Sequence, residues 1–299
     1  MNQRFKRSVV GCILRCGLVA LAHSSVAQEG PTVQSRAHQV NTQRISFDLY
    51  RGYLVVTRGS IGGLKNLNFL VDTGAEPSVV DQKLAEKLDL PQRDAQVSVL
   101  NRSVAAKSAV LPDLEVGPIQ VGKLPVLVED LSFLQKGLRL RIDALIGLDV
   151  LGQSSFTIDY GRNTIQFGEP ATRSFSVPLF REQQLVTVNL QLNNQQFRFL
   201  VDTGASALTL FASRMQGLVP NLEVQNVTHS RNLVGEFERA QILLRNVKIG
   251  DMNLEQQTAF LADDQRDPRR GFDGLFSPPA LGFKQVVFDL DRGTLGWSK

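Results

Sequence analysis

The heptapeptide FLVDTGA stands at Phe69–Ala75 and returns letter for letter at Phe199–Ala205. A duplicated structural element would keep its apolar letters and let the acid drift, yet both copies keep Asp, Thr and Gly. Phe69, Leu70 and Val71 have the run expected of a strand buried on both faces, and Gly74 then lets the chain turn. An Asp at the end of such a strand costs desolvation free energy unless it is hydrogen-bonded or paired. Asp72 and Asp202, with Thr73, Gly74, Thr203 and Gly204 beside them, are therefore the first candidates for a site.

The repeat extends well beyond seven residues. At the same offset of 130, Asp143 in DALIG meets Asp273 in DGLFS, and Asp159 meets Asp289. Arg162 then meets Arg292 and Thr164 meets Thr294. Separated segments that share one offset mark a duplicated lobe. The division is an N-terminal lobe over 44–168 and a C-terminal lobe over 175–299, joined by the polar EPATRS. Within each lobe the pattern is mostly strand, as in the alternating LVTVNLQL and the closing TIQF and TLGW. DQKLAEKLDL is the clearest helix, with Asp81 at the N-cap position, and LDVLGQ suggests another short turn. The expected fold is all-β, two barrel-like lobes about a pseudo-twofold axis with minor helix.

Residues 1–27 have the form of a secretory signal: Arg4, Lys6 and Arg7, an apolar run, then Ser25-Val26-Ala27 as a cleavage site. Arg15 interrupts the run, which leaves an uncleaved anchor as the less favoured reading. Residues 28–43 lack apolar periodicity and read as a flexible lead-in. The signal holds four of the 33 lysines and arginines and none of the 29 acids, so the remainder has 29 bases against 29 acids. That balance removes the basis for a nucleic-acid partner. Cys12 and Cys16, the two cysteines, also lie in the signal. An exported, periplasmic or secreted protein without disulfides is expected.

Elimination narrows the chemistry. His23 and His38 precede the lobes, leaving His229, and GSIGG is not a nucleophile elbow. No zinc spacing, phosphate loop or dinucleotide fingerprint occurs, so no metal or cofactor is expected. Carboxylates at repeated positions remain. If the lobes pack about a twofold axis, Asp72 and Asp202 meet on it. At ~4 Å and an effective dielectric of ~20, their repulsion is about 4 kcal/mol, separating the two titrations by about 3 units. One proton is then shared, one carboxylate is a base and its partner an acid. A water between them could attack an amide directly. This state is expected over a broad acidic range.

Two FLVDTGA elements, each followed some seventy residues later by DALIG or DGLFS, resemble the pepsin and retropepsin superfamily of aspartic proteases. The likeness is to a single-chain, two-lobed bacterial member of the retropepsin-like group and covers the chain after about residue 45. It implies an aspartic endopeptidase with Asp72 and Asp202 as the dyad, Thr73 and Thr203 bonding across to the opposite lobe, and Ser206 supporting a carboxylate through its hydroxyl. It also implies a monomer acting on a peptide or protein substrate, with Leu145-Ile146-Gly147 beneath the catalytic turn.

The first lobe departs by placing Glu76 where Ser206 stands in the second, a third acid that could raise the pKa of Asp72. Ser277 replaces the glycine expected after Leu275-Phe276. Flap candidates are Val97–Ala106 and Val227–Phe237, neither with a tyrosine.

Blander readings stand beside these. Asp143, Asp273, Asp159 and Asp289 fit turn or capping roles, and DDQRDPRRGFD fits a solvated loop. A nucleotide-binding fold with two Asp-x-Gly turns would need phosphate-hairpin glycines and long helices that are absent. A catalytically silent peptide-binding module on the same fold stays open as the alternative.

Overall fold

The structure is a computed structural model that describes residues 20–22, 43–99, 102–182, 184–215, 224–232, 235–262 and 271–299. Most of the signal and lead-in, the tips of both flap candidates and most of DDQRDPRRGFD lie outside these residues.

Strands dominate, with four short helices and one 3-10 turn among the described residues. The first lobe is built on strand Leu64–Val71, whose Phe69, Leu70 and Val71 are buried. It lies between Leu54–Ile61, which runs antiparallel, and Ala144–Ile146, which runs parallel. The sheet continues through Val79–Asp81, Ile119–Glu129, Arg102–Val116 and Arg93–Val99. A further pairing of Leu54–Ile61 with Arg102–Val116 curls it back on itself. The second lobe repeats this plan. Gln195–Val201 lies between Leu185–Leu192 and Gly274–Phe276, and Leu185–Leu192 also pairs with Gly235–Ile249.

The offset of 130 is not uniform between its fixed points. Val79 pairs with Leu127, but its counterpart Thr209 pairs with Phe260, an offset of 133 for that strand. The difference is recovered before Asp273. There the first lobe carries helix Ser132–Leu138, while the second has the short charged run.

A third, six-stranded sheet joins the lobes. Phe156–Asp159 of the first pairs antiparallel with Gln285–Asp289 of the second. Its register matches Phe156 with Phe288, Thr157 with Val287 and Ile158 with Val286. Thr157 thus faces its own counterpart at +130, so the pseudo-twofold axis passes through that pair. Phe156 and Phe288 stack at 4.5 Å across it. EPATRS packs on this sheet, where Arg173 meets the buried Asp289 at 3.2 Å.

Of the four blander aspartates, Asp159 and Asp289 take the expected turn roles, whereas Asp143 and Asp273 cap no turn or helix and bond to a strand 75 residues earlier. Asp143 and Asp273 accept the backbone N–H of Asn68 and Arg198, each at 2.8 Å. Asp159 and Asp289 accept both the N–H and the guanidinium of Arg162 and Arg292. Helix Gln82–Lys87 forms where expected, with Asp81 at its N-cap position. The Asp81 carboxylate, however, reaches the Leu131 N–H at 3.3 Å and Arg141 at 3.4 Å. Among the described residues no helix is long and apolar enough to cross a membrane.

Candidate active site

Each catalytic-looking turn leaves a buried strand at the same point. The Asp72 N–H bonds to the Ile146 carbonyl at 3.0 Å and the Asp202 N–H to the Phe276 carbonyl at 2.9 Å. These bonds fix where each side chain starts. Gly74 donates its N–H to Asp72 Oδ1 at 3.0 Å. Gly204 and Ala205 donate theirs to Asp202 Oδ1 at 2.8 and 3.0 Å.

Four hydrogen bonds clamp the two turns together. The Thr73 hydroxyl donates to the Val201 carbonyl at 2.7 Å and the Thr203 hydroxyl to the Val71 carbonyl at 2.9 Å. Each hydroxyl also accepts the other threonine's N–H at 3.1 Å. Both threonines are fully buried, so each hydroxyl is matched as donor and acceptor where water cannot substitute.

The clamp brings the acids together. A Cβ added at Gly204 would stand 2.7 Å from Asp72 Oδ2, so the first lobe's carboxylate lies against the second lobe's turn. Asp72 and Asp202 retain 1% and 0% of their exposure. Their side chains are close enough to act on one another, and for the two to bond one must hold a proton, because two carboxylates are acceptors only. Among the described residues no N–H or hydroxyl reaches Asp202 Oδ2. Burial is the main reason that both pKa values rise. Asp72 moves up to about 7, against the bonds from Gly74 and Asp202 that lower it. Asp202 rises well above the usual range through burial and then through the charge of Asp72. The pair therefore holds one proton in common. The expectation of an acidic window considered repulsion alone. Desolvation is the larger effect here and opens the singly protonated window near neutrality.

This geometry has a counterpart among known proteins. A family model described as aspartyl protease matches residues 57–150 and again 188–280, together more than half of the chain. The chain belongs to the aspartyl protease family. No curated protein matches it. As an aspartyl protease it has the two-lobed, duplicated β architecture expected from its sequence, with one family match in each lobe.

Two supporting residues differ from expectation. The Ser206 hydroxyl is buried and bonds to nothing among the described residues, so the hydrogen bond expected from it to a carboxylate is not made. Backbone N–H groups of Gly204 and Ala205 hold Asp202 instead. Glu76 does not turn to the dyad either. Its Oε1 accepts the Gln184 N–H of the other lobe at 3.0 Å, and its Oε2 is buried with no partner among the described residues. Burial, followed by the nearby Asp149 charge, pushes Glu76 up to about 7 despite the Gln184 bond.

The structure adds residues that sequence reasoning missed. Asp149 is half-buried, desolvation raises its pKa, and it accepts both the N–H and the hydroxyl of Ser78 at 2.8 and 2.6 Å. The Ser78 hydroxyl in turn accepts the Gly147 N–H at 2.9 Å. The counterparts of Ser78 and Asp149 at +130 are Leu208 and Pro279, so this network exists in the first lobe only. That asymmetry was the available signal. In the second lobe Ser277, the counterpart of Gly147, donates its hydroxyl to the Ala205 carbonyl at 2.7 Å. A Cβ at Gly147 would collide with the matching Ala75 carbonyl. The Gly-to-Ser departure thus comes with a different local backbone and a new bond.

Hairpins occupy both flap positions, Arg93–Val99 with Arg102–Val116 and Val224–Asn232 with Gly235–Ile249.

Proposed function

We propose that this aspartyl protease is an endopeptidase that hydrolyses peptide bonds with a water activated by Asp72 and Asp202. The observation that carries the reading is that the clamped turns of two lobes set two buried carboxyls side by side. Asp72, the more acidic member, takes a proton from the water. Asp202 gives its proton to the carbonyl oxygen under attack. As the tetrahedral intermediate collapses, the proton taken up by Asp72 passes to the leaving amine, and the hydroxyl that becomes the new carbonyl oxygen returns its proton to Asp202, so the pair again holds one proton.

The four threonine bonds fix the distance between the acids, and burial strengthens each electrostatic effect. Both acids come from one chain, so a monomer suffices. The substrate is a peptide or protein in extended form, and the amino-terminal pattern favours an exported enzyme.

The test is cleavage of a denatured protein and a peptide mixture by wild type, Asp72→Asn and Asp202→Asn. Each substitution should lower turnover by about 10²–10⁴-fold, with cooperative thermal unfolding retained. Variants that cleave like wild type would remove the dyad from the mechanism. A wild type that binds peptides without cutting them would identify a binding module.

A further inference from the structure

The second lobe lines the approach to its catalytic turn differently from the first. Strand register sets Leu200, Leu275 and Thr209 side by side on one sheet face, and Asp202 continues the alternation of Leu200 onto that face. Thr209 pairs next with Phe260. Ala262, two residues on, pairs with Arg239, which pairs in turn with Thr228 on the flap hairpin. One face thus runs from the Asp202 turn to the second flap. At the matching positions the first lobe has Val79, Leu127, Ala106 and Ala95. All four belong to or pack against the apolar cluster around Ala75, the residue that follows its own catalytic turn. In the second lobe Thr209, Arg239 and Thr228 replace three of these apolar side chains. Arg239 is only 6% exposed, and its guanidinium carbon lies 3.7 Å from the centre of the Phe260 ring. The Thr228 hydroxyl is buried with no partner among the described residues.

We infer that Arg239 determines specificity, making the second-lobe side of the cleft take an acidic side chain of the substrate where the first lobe offers only apolar surface. The inference rests on the protease reading of the same cleft. A guanidinium stays charged at every working pH and matches a carboxylate with two parallel N–H groups. Stacking on Phe260 favours the cation and holds its plane without using its N–H edge. With little water beside it the charge is weakly screened, so a carboxylate gains more there than at an exposed arginine. The Thr228 hydroxyl, its cross-strand neighbour, supplies a further donor. Glutamine, of the same shape as glutamate but uncharged, gains much less. Four strand spacings lie between Leu200 and Arg239, each about 4.8 Å. The acidic residue therefore sits a few residues from the bond that is cut, not beside it.

A series of peptides carrying Glu or Gln at each position in turn tests this, with two quantities read. One is kcat/KM; the other is the Kd of the Asp202→Asn form for the same peptides, which needs no cleavage. At one position Glu should be preferred over Gln by about ten- to a hundredfold in both. Arg239→Gln should erase that preference, and Arg239→Lys, which keeps the charge but not the fork, should retain part of it. A general loss of folding would not separate those two variants. If wild type favours Glu at no position, the inference is overturned without any variant. A preference that survives Arg239→Gln, in a protein that still unfolds cooperatively, belongs to another group and overturns it as well. Glu-selective binding that Arg239→Gln removes, with no cleavage by any form, would uphold the Arg239 subsite and defeat the protease reading alone.

Discussion

At the residue scale, the site depends on acids kept away from water. Asp72 and Asp202 were legible because an acid repeated inside an identical apolar context has little structural reason to persist. Glu76 was legible as a departure, but its destination was not, since Gln184 lies 108 positions away and offers only a backbone N–H. Its raised pKa has a consequence for stability. A carboxyl pushed from 4.5 to about 7 by folding binds its proton more tightly in the folded state. Its stabilising contribution is therefore complete below the unfolded pKa and is lost as pH rises through about 7. Asp72 acts in the same direction, while Asp130 and Asp289, lowered on folding, act in the opposite one at low pH. The thermal midpoint of wild type should fall between pH 4.5 and 7.5. Glu76→Gln, which stays neutral throughout, should flatten that slope and raise the midpoint at pH 7.5 by a few degrees. Thermal melts across this range check it; an identical slope in both proteins would contradict the assignment.

At the element scale, the two Asp-Thr-Gly turns act as one unit across the lobe boundary. Strand identity followed from alternation and from the apolar runs, and helix Gln82–Lys87 from its periodicity. The 133-residue offset of one strand was hidden because a longer hairpin and a shorter connection cancel before Asp273. Ser206 was misjudged for a related reason. A hydroxyl at the right sequence position says nothing about where the backbone N–H groups of Gly204 and Ala205 point. The clamp itself makes a clear prediction. Thr203→Val keeps the shape but strands the Thr73 N–H and the Val71 carbonyl in a dry site. Each orphaned group should cost about 1–3 kcal/mol. Denaturant unfolding should show that loss. A variant as stable as wild type would mean that the turns are held by something else.

At the scale of the whole molecule, duplication explains both the symmetry and its breaks. The lobes face each other through Thr157 and Val287, each its counterpart's partner, so an axis that brings one pair of equivalent residues together brings the acids together as well. Departures from symmetry gather near the first lobe's turn: Glu76, Ser78, Asp149 and the strand Ala20–Ala22, which pairs with Ala75–Glu76. None of these could be found by comparing repeats for likeness, because each is where the repeats differ. The account depends on the dyad behaving as a single two-proton acid, and carboxyl ¹³C NMR titration of aspartate-labelled protein from pH 3 to 9 measures that directly. The Asp72 and Asp202 signals should move together, with a first ionisation near pH 7, and that step should vanish in Asp202→Asn. Two carboxyls titrating independently near pH 4 would contradict the shared proton and the mechanism built on it.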